Sequence, residues 1–353
     1  MALATEEFVA RLIEKGFNKF CVVPCSFAKN LINEVINNPK AEYIPCASEA
    51  VAVSIAAGLR LSGEKPVVVV QSSGMTNMGS CITSLLKPYG VNVPVLTSWR
   101  TYTEGSSEIQ HEHLATDLPK LINAYGYEHY VLDTENIDNA INQVEESASR
   151  PLIGIIPKNS FSAVDLKPEF QLDLEKYLPR SVFLNALNQK FKASDVLFIG
   201  TTGNTAREMY SFMPDLRNFY MAGNMGGALS LGLGAAMSGQ KVVICGGDAE
   251  FLMHLGGLTT AGRYQNLDLS YIVFDNEANK STGGQSTQQS HINYNKLARA
   301  SGFSVLENTI TTIEEFKKEV KELSGLKFMH VKCAFDPQTP RPPLEVIRRD
   351  KFV

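Results

Sequence analysis

The sequence predicts an α/β protein built as two tandem parallel-sheet α/β domains, and three observations carry that expectation. Short runs rich in Val, Ile and Leu alternate with longer amphipathic or alanine-rich stretches: Lys19–Val23, Val67–Gln71, Val93–Ser98, Leu152–Ile156, Val196–Ile199, Val242–Cys245, Leu269–Phe274 and Phe328–Cys333. Apolar runs of this length, bounded by Gly, Pro or polar residues, read as strands buried on both faces. Helical stretches between them imply βαβ units with right-handed crossovers. The second observation is an internal echo at an offset of 176 residues, where Ala52–Lys65 (AVSIAAGLRLSGEK) matches Ala228–Lys241 (ALSLGLGAAMSGQK) at six of fourteen positions, and a strand follows each copy. Both copies are small-residue helices closed by a Ser-Gly stop, suited to close packing on another backbone. The third is the polar, weakly periodic stretch Pro157–Arg180 between the two copies, which reads as a linker.

Composition bounds the function classes. The 353 residues are enough for about two domains of roughly 100–200 residues each. A hydrophobic fraction of 44% and a charged fraction of 20% are ordinary for a globular enzyme. The net charge of -4 offers no basic field for nucleic acid or an anionic membrane, so an anionic small substrate must meet a local group of cations. The start, MALATEEFVARLIEKGF, is acidic and helical in period, unlike a signal peptide, and no apolar run approaches the roughly 18 residues of a membrane span. Six cysteines without CxxC spacing suggest reduced thiols, hence a cytoplasmic protein, and neither a zinc site nor a disulfide framework.

The strongest chemical signal lies in the second half. Strand Val242–Cys245 runs into Gly246-Gly247-Asp248-Ala249-Glu250, and strand Leu269–Phe274 ends in Asp275-Asn276, with Asn276 28 residues after Asp248. A parallel sheet delivers both ends to the carboxyl edge, where ligands bind. A carboxylate, an amide carbonyl and backbone carbonyls are hard oxygen donors suited to magnesium, which commonly bridges protein to phosphate oxygens. Taken singly, Asp248 reads equally as a helix cap and Asn276 as a turn residue. Gly200-Thr201-Thr202-Gly203-Asn204-Thr205 follows strand Val196–Ile199 and offers small residues and exposed amides to phosphate. Met221-Ala222-Gly223-Asn224-Met225-Gly226-Gly227 leads into the second echo helix, and Cys46-Ala47-Ser48-Glu49-Ala50 opens the first. A Glu in a first helical turn is explained by the helix dipole alone, and Met225 by core filling.

Together these segments resemble the thiamine diphosphate enzymes, whose motif begins Gly-Asp-Gly and ends in Asn; here it stands as Gly247-Asp248-Ala249 … Asn276, with Ala249 in place of the usual glycine. The resemblance implies Asp248 and Asn276 as side-chain magnesium ligands and Ala278 as a backbone ligand. It further implies Thr201, Thr202, Gly203, Gly223, Asn224, Gly247 and Ala249 at the cofactor, and Met225 as the apolar prop that bends it. Glu49 would hydrogen-bond the pyrimidine ring. On this reading residues 1–160 form a pyrimidine-binding domain, 161–180 a linker and 181–353 a diphosphate- and magnesium-binding domain.

The chain looks most like the compact phosphonopyruvate decarboxylases and their sulfopyruvate relatives. The matching segments are Val23-Pro24-Cys25-Ser26-Phe27, Thr83-Ser84-Leu85, Trp99-Arg100, Gln110-His111, Thr201-Thr202-Gly203 with Arg207-Glu208-Met209-Tyr210, and Ser281-Thr282-Gly283-Gly284-Gln285. The resemblance implies decarboxylation of a 3-substituted pyruvate, 3-phosphonopyruvate first, to phosphonoacetaldehyde and carbon dioxide. The alternatives are sulfopyruvate, another 2-oxo acid or carboligation and, from another class, a non-catalytic nucleotide-binding α/β protein. Candidate substrate contacts are Ser26, Lys29, Arg100, Gln110, Ser281 and Thr282, since Arg forks onto a phosphonate or sulfonate. The candidate proton carrier is His111, with His113 two residues on as its rival. The continuation of the Trp-Arg segment, Trp99 through His111, and the loop Ser72–Asn77, with Thr76 at an expected glycine, depart from the family pattern. A homodimer or higher homo-oligomer, with active sites at the subunit interface, is implied.

Overall fold

Two units divide the chain in the computed structural model, which describes residues 2–100, 109–336 and 339–347. One comprises Met1–Gln171 with Thr282–Ser286, the other Leu172–Ser281 with Thr287–Val353. Of the departing stretch from Trp99 to His111, residues 101–108 lie outside the described residues.

The first unit holds β1 (Lys19–Val22), β2 (Glu42–Pro45), β3 (Pro66–Gln71), β4 (Val95–Ser98), β5 (Glu128–Val131) and β6 (Leu152–Ile156). They form a six-stranded sheet in the order β2-β1-β3-β4-β6-β5, every pair parallel. Interior strands β4 and β6 are buried at every residue, as their sequences VLTS and LIGII require. The edge strand β5, EHYV, buries no residue fully. It therefore lacks the continuous apolar run by which the interior strands announce themselves. Helices α1 (Thr5–Glu14), α2 (Lys29–Asn37), α3 (Glu49–Leu61), α4 (Ile109–Ala124) and α5 (Ile137–Ser147) accompany this sheet. Phe8, Phe20, Leu31, Val67, Leu96 and Val144 lie in its core.

The second unit repeats the plan with β7 (Leu197–Gly200), β8 (Arg217–Tyr220), β9 (Val242–Gly247), β10 (Leu269–Asp275), β11 (Ser304–Val305) and β12 (Leu326–Lys332). Its order, β8-β7-β9-β10-β12-β11, is again parallel throughout. In each unit the second strand takes one edge, followed by the first, third, fourth, sixth and fifth. Helices α6 (Arg180–Phe191), α7 (Asn204–Phe212), α8 (Ala228–Met237) and α9 (Asp248–Met253) precede or follow these strands. Edge strands β8 and β11, RNFY and SV, are again the ones without an apolar run.

The echo is structural as well as sequential. Ala52, Val53, Ala56 and Ala57 are the buried positions of α3 beyond its first residue, and their counterparts Ala228, Leu229, Gly232 and Leu233 are buried in α8. Gly232 shows why small residues are needed there: a Cβ would come within 2.7 Å of the Ile244 side chain on β9. The opposite faces are exposed in both copies, at Ile55 and Leu61 in α3 and at Leu231 and Met237 in α8.

The stretch between the sheets is tied down before it reaches the second unit. Asn33 and Asn37 on α2 donate their side-chain amides to the carbonyls of Val164 and Asp165, each at 2.8 Å, and Asn37 accepts the amide of Lys167. Arg180 is the first residue of α6 and is buried.

Candidate active site

Because the strands run parallel, each sheet gathers its carboxyl ends along one edge. In the second unit β7, β9 and β10 are neighbours, with Gly200 opposite Cys245 and Gly247 opposite Phe274. The residues that follow them, Thr201, Asp248 and Asn276, are therefore brought together. With Thr202, Met225, Gly247, Ala249, Ala278 and Ser281 they line a cavity of about 70 Å³. At roughly 10–15 Å³ per water it has room for a few waters, the scale of a ligand's phosphate end rather than of a whole cofactor.

The donor set fits a divalent cation. Asp248 is 3% exposed, and burial, reinforced by the neighbouring Asp275, pushes its carboxyl up to about 7. Such a carboxylate regains its charge when a cation binds it. Thr287 donates its hydroxyl to Asp248 at 3.2 Å, and Asn276 accepts the amide of Ala278 at 3.2 Å, which shapes the loop between them. Among the described residues no group of three or more His, Cys, Asp or Glu side chains gathers as a metal site. A metal here would complete its shell from Asn276, the Ala278 carbonyl and phosphate oxygens. Ala249 sits inside α9, and it is not among the non-glycine residues at positive φ, so its Cβ is accommodated without backbone strain.

One side of the cavity has an orphan donor. The Thr201 hydroxyl is buried without a hydrogen-bond partner. Thr202 spends its own hydroxyl on the Ala222 carbonyl at 2.8 Å, leaving its amide to offer. Gly203 takes φ +83, a conformation that costs a side chain but not glycine. Gly203, Gly223 and Asn224 do not line the cavity; Asn224 turns the chain at φ +58 and its carbonyl accepts the Gly227 amide, which presents Met225.

The wall also holds Arg180, which lies outside every motif, and Thr205 and Glu250, which stand in the quoted motifs without having been given a role. Arg180 donates Nε to Glu208 Oε2 at 2.6 Å, NH2 to Oε1 at 3.0 Å and NH1 to Thr205 Oγ1 at 2.8 Å. Both ends of this forked pair are at most 6% exposed. Burial, with Asp336 nearby, raises the Glu208 carboxyl above its ordinary range, and the guanidinium opposes the rise. Since Thr205 Oγ1 already accepts from Arg180, its own proton is left to point elsewhere, and Arg180 and Thr205 both line the cavity. A signal existed: arginine in a first helical turn opposes the helix dipole and needs a fixed anion. Glu250, also in the wall, takes the Tyr271 hydroxyl at 2.6 Å, and burial pushes its carboxyl up to about 7.

In the first unit Glu49 opens α3 behind the cap Ser48, whose hydroxyl accepts the Val51 amide. Glu49 is 5% exposed, and Asn77 donates its side-chain amide to Oε2 at 2.9 Å. Gly74 makes this possible, since a Cβ there would stand 2.2 Å from Glu49 Oε1. The departing loop Ser72–Thr76 thus shapes the surroundings of Glu49 itself.

The substrate candidates divide between the units. Arg100 donates to Ser26 Oγ at 2.6 Å and to Gln71 Oε1 at 3.2 Å, and its guanidinium lies 4.5 Å from the Phe27 ring centre. Lys29 opens α2, where its Cγ would be 2.9 Å from a Cβ on Gly283. Thr282 is grouped with this unit through its segment, in which Gln285 donates to Asn33 at 2.8 Å. Gln110 and His111 stand in the first turn of α4, where His111 is 2% exposed; His113 is exposed and 3.8 Å from Asp117. Ser281 alone of the six belongs to the second unit's cavity.

Two family models match this chain: the N-terminal TPP binding domain of the thiamine pyrophosphate enzymes over residues 4–118, and their C-terminal TPP binding domain over residues 199–333. The chain belongs to the thiamine pyrophosphate enzymes. Both domains of this family are present, and together the matches span more than two thirds of the sequence. Among members of the family, the chain is 29% identical over 333 residues to a phosphonopyruvate decarboxylase of Streptomyces viridochromogenes, covering 85% of this chain and 80% of that one. It is 29% identical to a sulfopyruvate decarboxylase of Methanosarcina acetivorans over 382 residues, or 98% of this chain and 96% of that one. A sulfopyruvate decarboxylase subunit beta of Methanothermobacter thermautotrophicus is 41% identical over 113 residues, 32% of this chain and 61% of that one. Membership of this family sets aside the non-catalytic nucleotide-binding reading.

Proposed function

We propose that this thiamine pyrophosphate enzyme decarboxylates a 3-substituted pyruvate, with 3-phosphonopyruvate the leading substrate and phosphonoacetaldehyde and carbon dioxide the products. The observation that carries the reading is the cavity joining buried Asp248, Asn276 and an unpartnered Thr201 hydroxyl, in a chain alike over most of its length to decarboxylases of phosphonopyruvate and sulfopyruvate. Sulfopyruvate is the second substrate, favoured by the 98% span of that relationship.

Asp248, Asn276 and the Ala278 carbonyl would hold magnesium, and Thr201, the Thr202 amide and Gly203 would face the diphosphate. Met225 would support the cofactor's bend. When bound, thiamine diphosphate supplies the electron sink that accepts the carbanion left by decarboxylation. Glu49, fixed by Asn77, holds a carboxylate for the pyrimidine ring. Arg100 is already oriented by Ser26, Gln71 and Phe27, which lowers the ordering cost of clamping a phosphonate or sulfonate. Lys29, Gln110, Ser281 and Thr282 complete the proposed substrate contacts, and buried His111 is the proposed proton carrier.

The chain would act as a homodimer or larger homo-oligomer, with active sites at the subunit interface. The exposed Ile55, Leu61, Leu231 and Met237 on the two echo helices support association. Six free cysteines support a reducing, cytoplasmic setting, and among the described residues no helix is long and apolar enough to cross a membrane.

The test is turnover of 3-phosphonopyruvate, sulfopyruvate and pyruvate with thiamine diphosphate and Mg2+, reading carbon dioxide and aldehyde. Turnover of neither 3-substituted acid would overturn the proposal. Sulfopyruvate turnover alone would move the substrate, and a coupled product in place of the aldehyde would mark carboligation.

A further inference from the structure

The loop that carries Asn276 is held from the neighbouring strand. On β12, Lys332 pairs with Asp275 and His330 with Val273, and residues two apart on a strand share a face. Lys332 Nζ lies 2.8 Å from Asp275 Oδ2 and also donates to the Glu277 carboxylate. One ammonium thus grips the side chains on both sides of Asn276. Asp275 Oδ1 accepts the Glu277 amide at 2.9 Å, and Glu277 itself sits at φ +55, which a side chain adopts only under constraint.

The anchor is itself fixed. His330 Nε2 lies 2.8 Å from Asp275 Oδ2 and its Nδ1 2.9 Å from the Thr309 hydroxyl, while the Tyr294 ring stacks on the imidazole with centres 4.5 Å apart. Asp275 and His330 are 2% and 6% exposed. With Nε2–H donating to Asp275, Nδ1 accepts from Thr309, and the carboxylate has little freedom to turn.

We infer that Lys332, anchored on Asp275 and His330, is a positioning residue that presets the Asn276–Ala278 turn for the metal. This rests on the metal assignment made above. Lys332 acts on a cation site in two opposed ways. As a positive charge it repels the metal, so its removal by electrostatics alone would tighten binding. As a clasp it holds the turn in shape, so its removal by geometry would loosen binding. Loss of a group that orients metal ligands typically weakens a metal by about 10–100-fold. Geometry should prevail, because among the described residues Lys332 is the side-chain partner of the Glu277 carboxylate, which is otherwise tied to the turn through backbone.

The test uses the full chain with saturating thiamine diphosphate and reads Mn2+ binding by electron paramagnetic resonance. Lys332→Met should weaken Mn2+ by about 10–100-fold, and Lys332→Arg, which keeps charge and donors, should stay within about threefold of the parent. In the metal-free chain, hydrogen exchange should speed up at the Glu277 and Ala278 amides of Lys332→Met while the interior of β10 keeps its protection. Unchanged or tighter Mn2+ binding in Lys332→Met would overturn the inference, as would unchanged exchange at those amides. Loss of protection throughout β10 without rescue in Lys332→Arg would also overturn it, by making Lys332 a general stabiliser. If the parent chain itself binds no Mn2+, the metal assignment fails, and the exchange measurement still judges the clasp alone.

Discussion

Replacing Glu208 by Gln is the most demanding test of how the second unit holds the wall of this cavity. The substitution keeps size and shape but removes the charge opposite Arg180, and it places an amide NH2 against a guanidinium that donates through Nε and NH2. With the two side chains 6% and 4% exposed, water does not replace the lost partner. Breaking a buried pair by removing one member costs about 3–5 kcal/mol, because the survivor is left uncompensated. At about 2–4 °C per kcal/mol for a unit of this size, the melting temperature of the metal-free chain should fall by about 6–20 °C. Arg180→Met combined with Glu208→Leu removes both charges, so it should melt well above Glu208→Gln and near the parent. Circular-dichroism melts of the three proteins under one buffer are the assay. A Glu208→Gln protein melting within about 1 °C of the parent would refute the reasoning, since the pair would then contribute no more than an exposed one.

Other perturbations separate cofactor binding from chemistry. Glu49→Gln should keep thiamine diphosphate binding, read as thermal stabilisation, and lose most decarboxylation; full activity would remove the role given to Glu49. Gly74→Ala should behave similarly, because its Cβ would occupy the position of the Glu49 carboxylate 2.2 Å away; unchanged turnover would count against that geometry. Thiamine diphosphate with Mg2+ at a hundredfold excess over Kd should add about 2.7 kcal/mol of stability to the parent, read as a rise in melting temperature. Asp248→Ala should abolish that rise while leaving the metal-free chain folded, and a persisting rise would place the metal elsewhere. Thr205→Val should weaken inorganic diphosphate with Mg2+ more than thiamine, by the roughly 1.5–3 kcal/mol of a hydrogen bond to a charged group; equal losses would make Thr205 structural only.

Much of this molecule was legible from local pattern. Strands β3, β6, β9 and β10 are continuous apolar runs because helices cover a parallel sheet on both faces, so their burial is written in their composition. The edge strands β5, β8 and β11 were not, because one side of each has no strand to pair with and their residues stay mixed. Asp248, Asn276 and Thr201 were readable because a strand end in a parallel sheet has only one place to go. Asn224 stands in the segment that leads to Met225 and turns the chain there at φ +58, a local role that spacing alone does not express.

What the sequence by itself determined, then, is the repeat of two parallel sheets, the chemistry available at their carboxyl ends and the small-residue helices that pack against them. Tertiary structure decided which side chains serve as supports. Asn77 meets Glu49 because Gly74 leaves the space, Arg180 meets Glu208 across 28 residues of chain, and Lys332 meets Asp275 across 57. Each of these is a charge or amide whose own neighbours in sequence give it no partner. Periodicity fixes the face on which such a group lies, but strand order and register choose what stands opposite, and for a buried polar group the opposite partner determines its cost and its use.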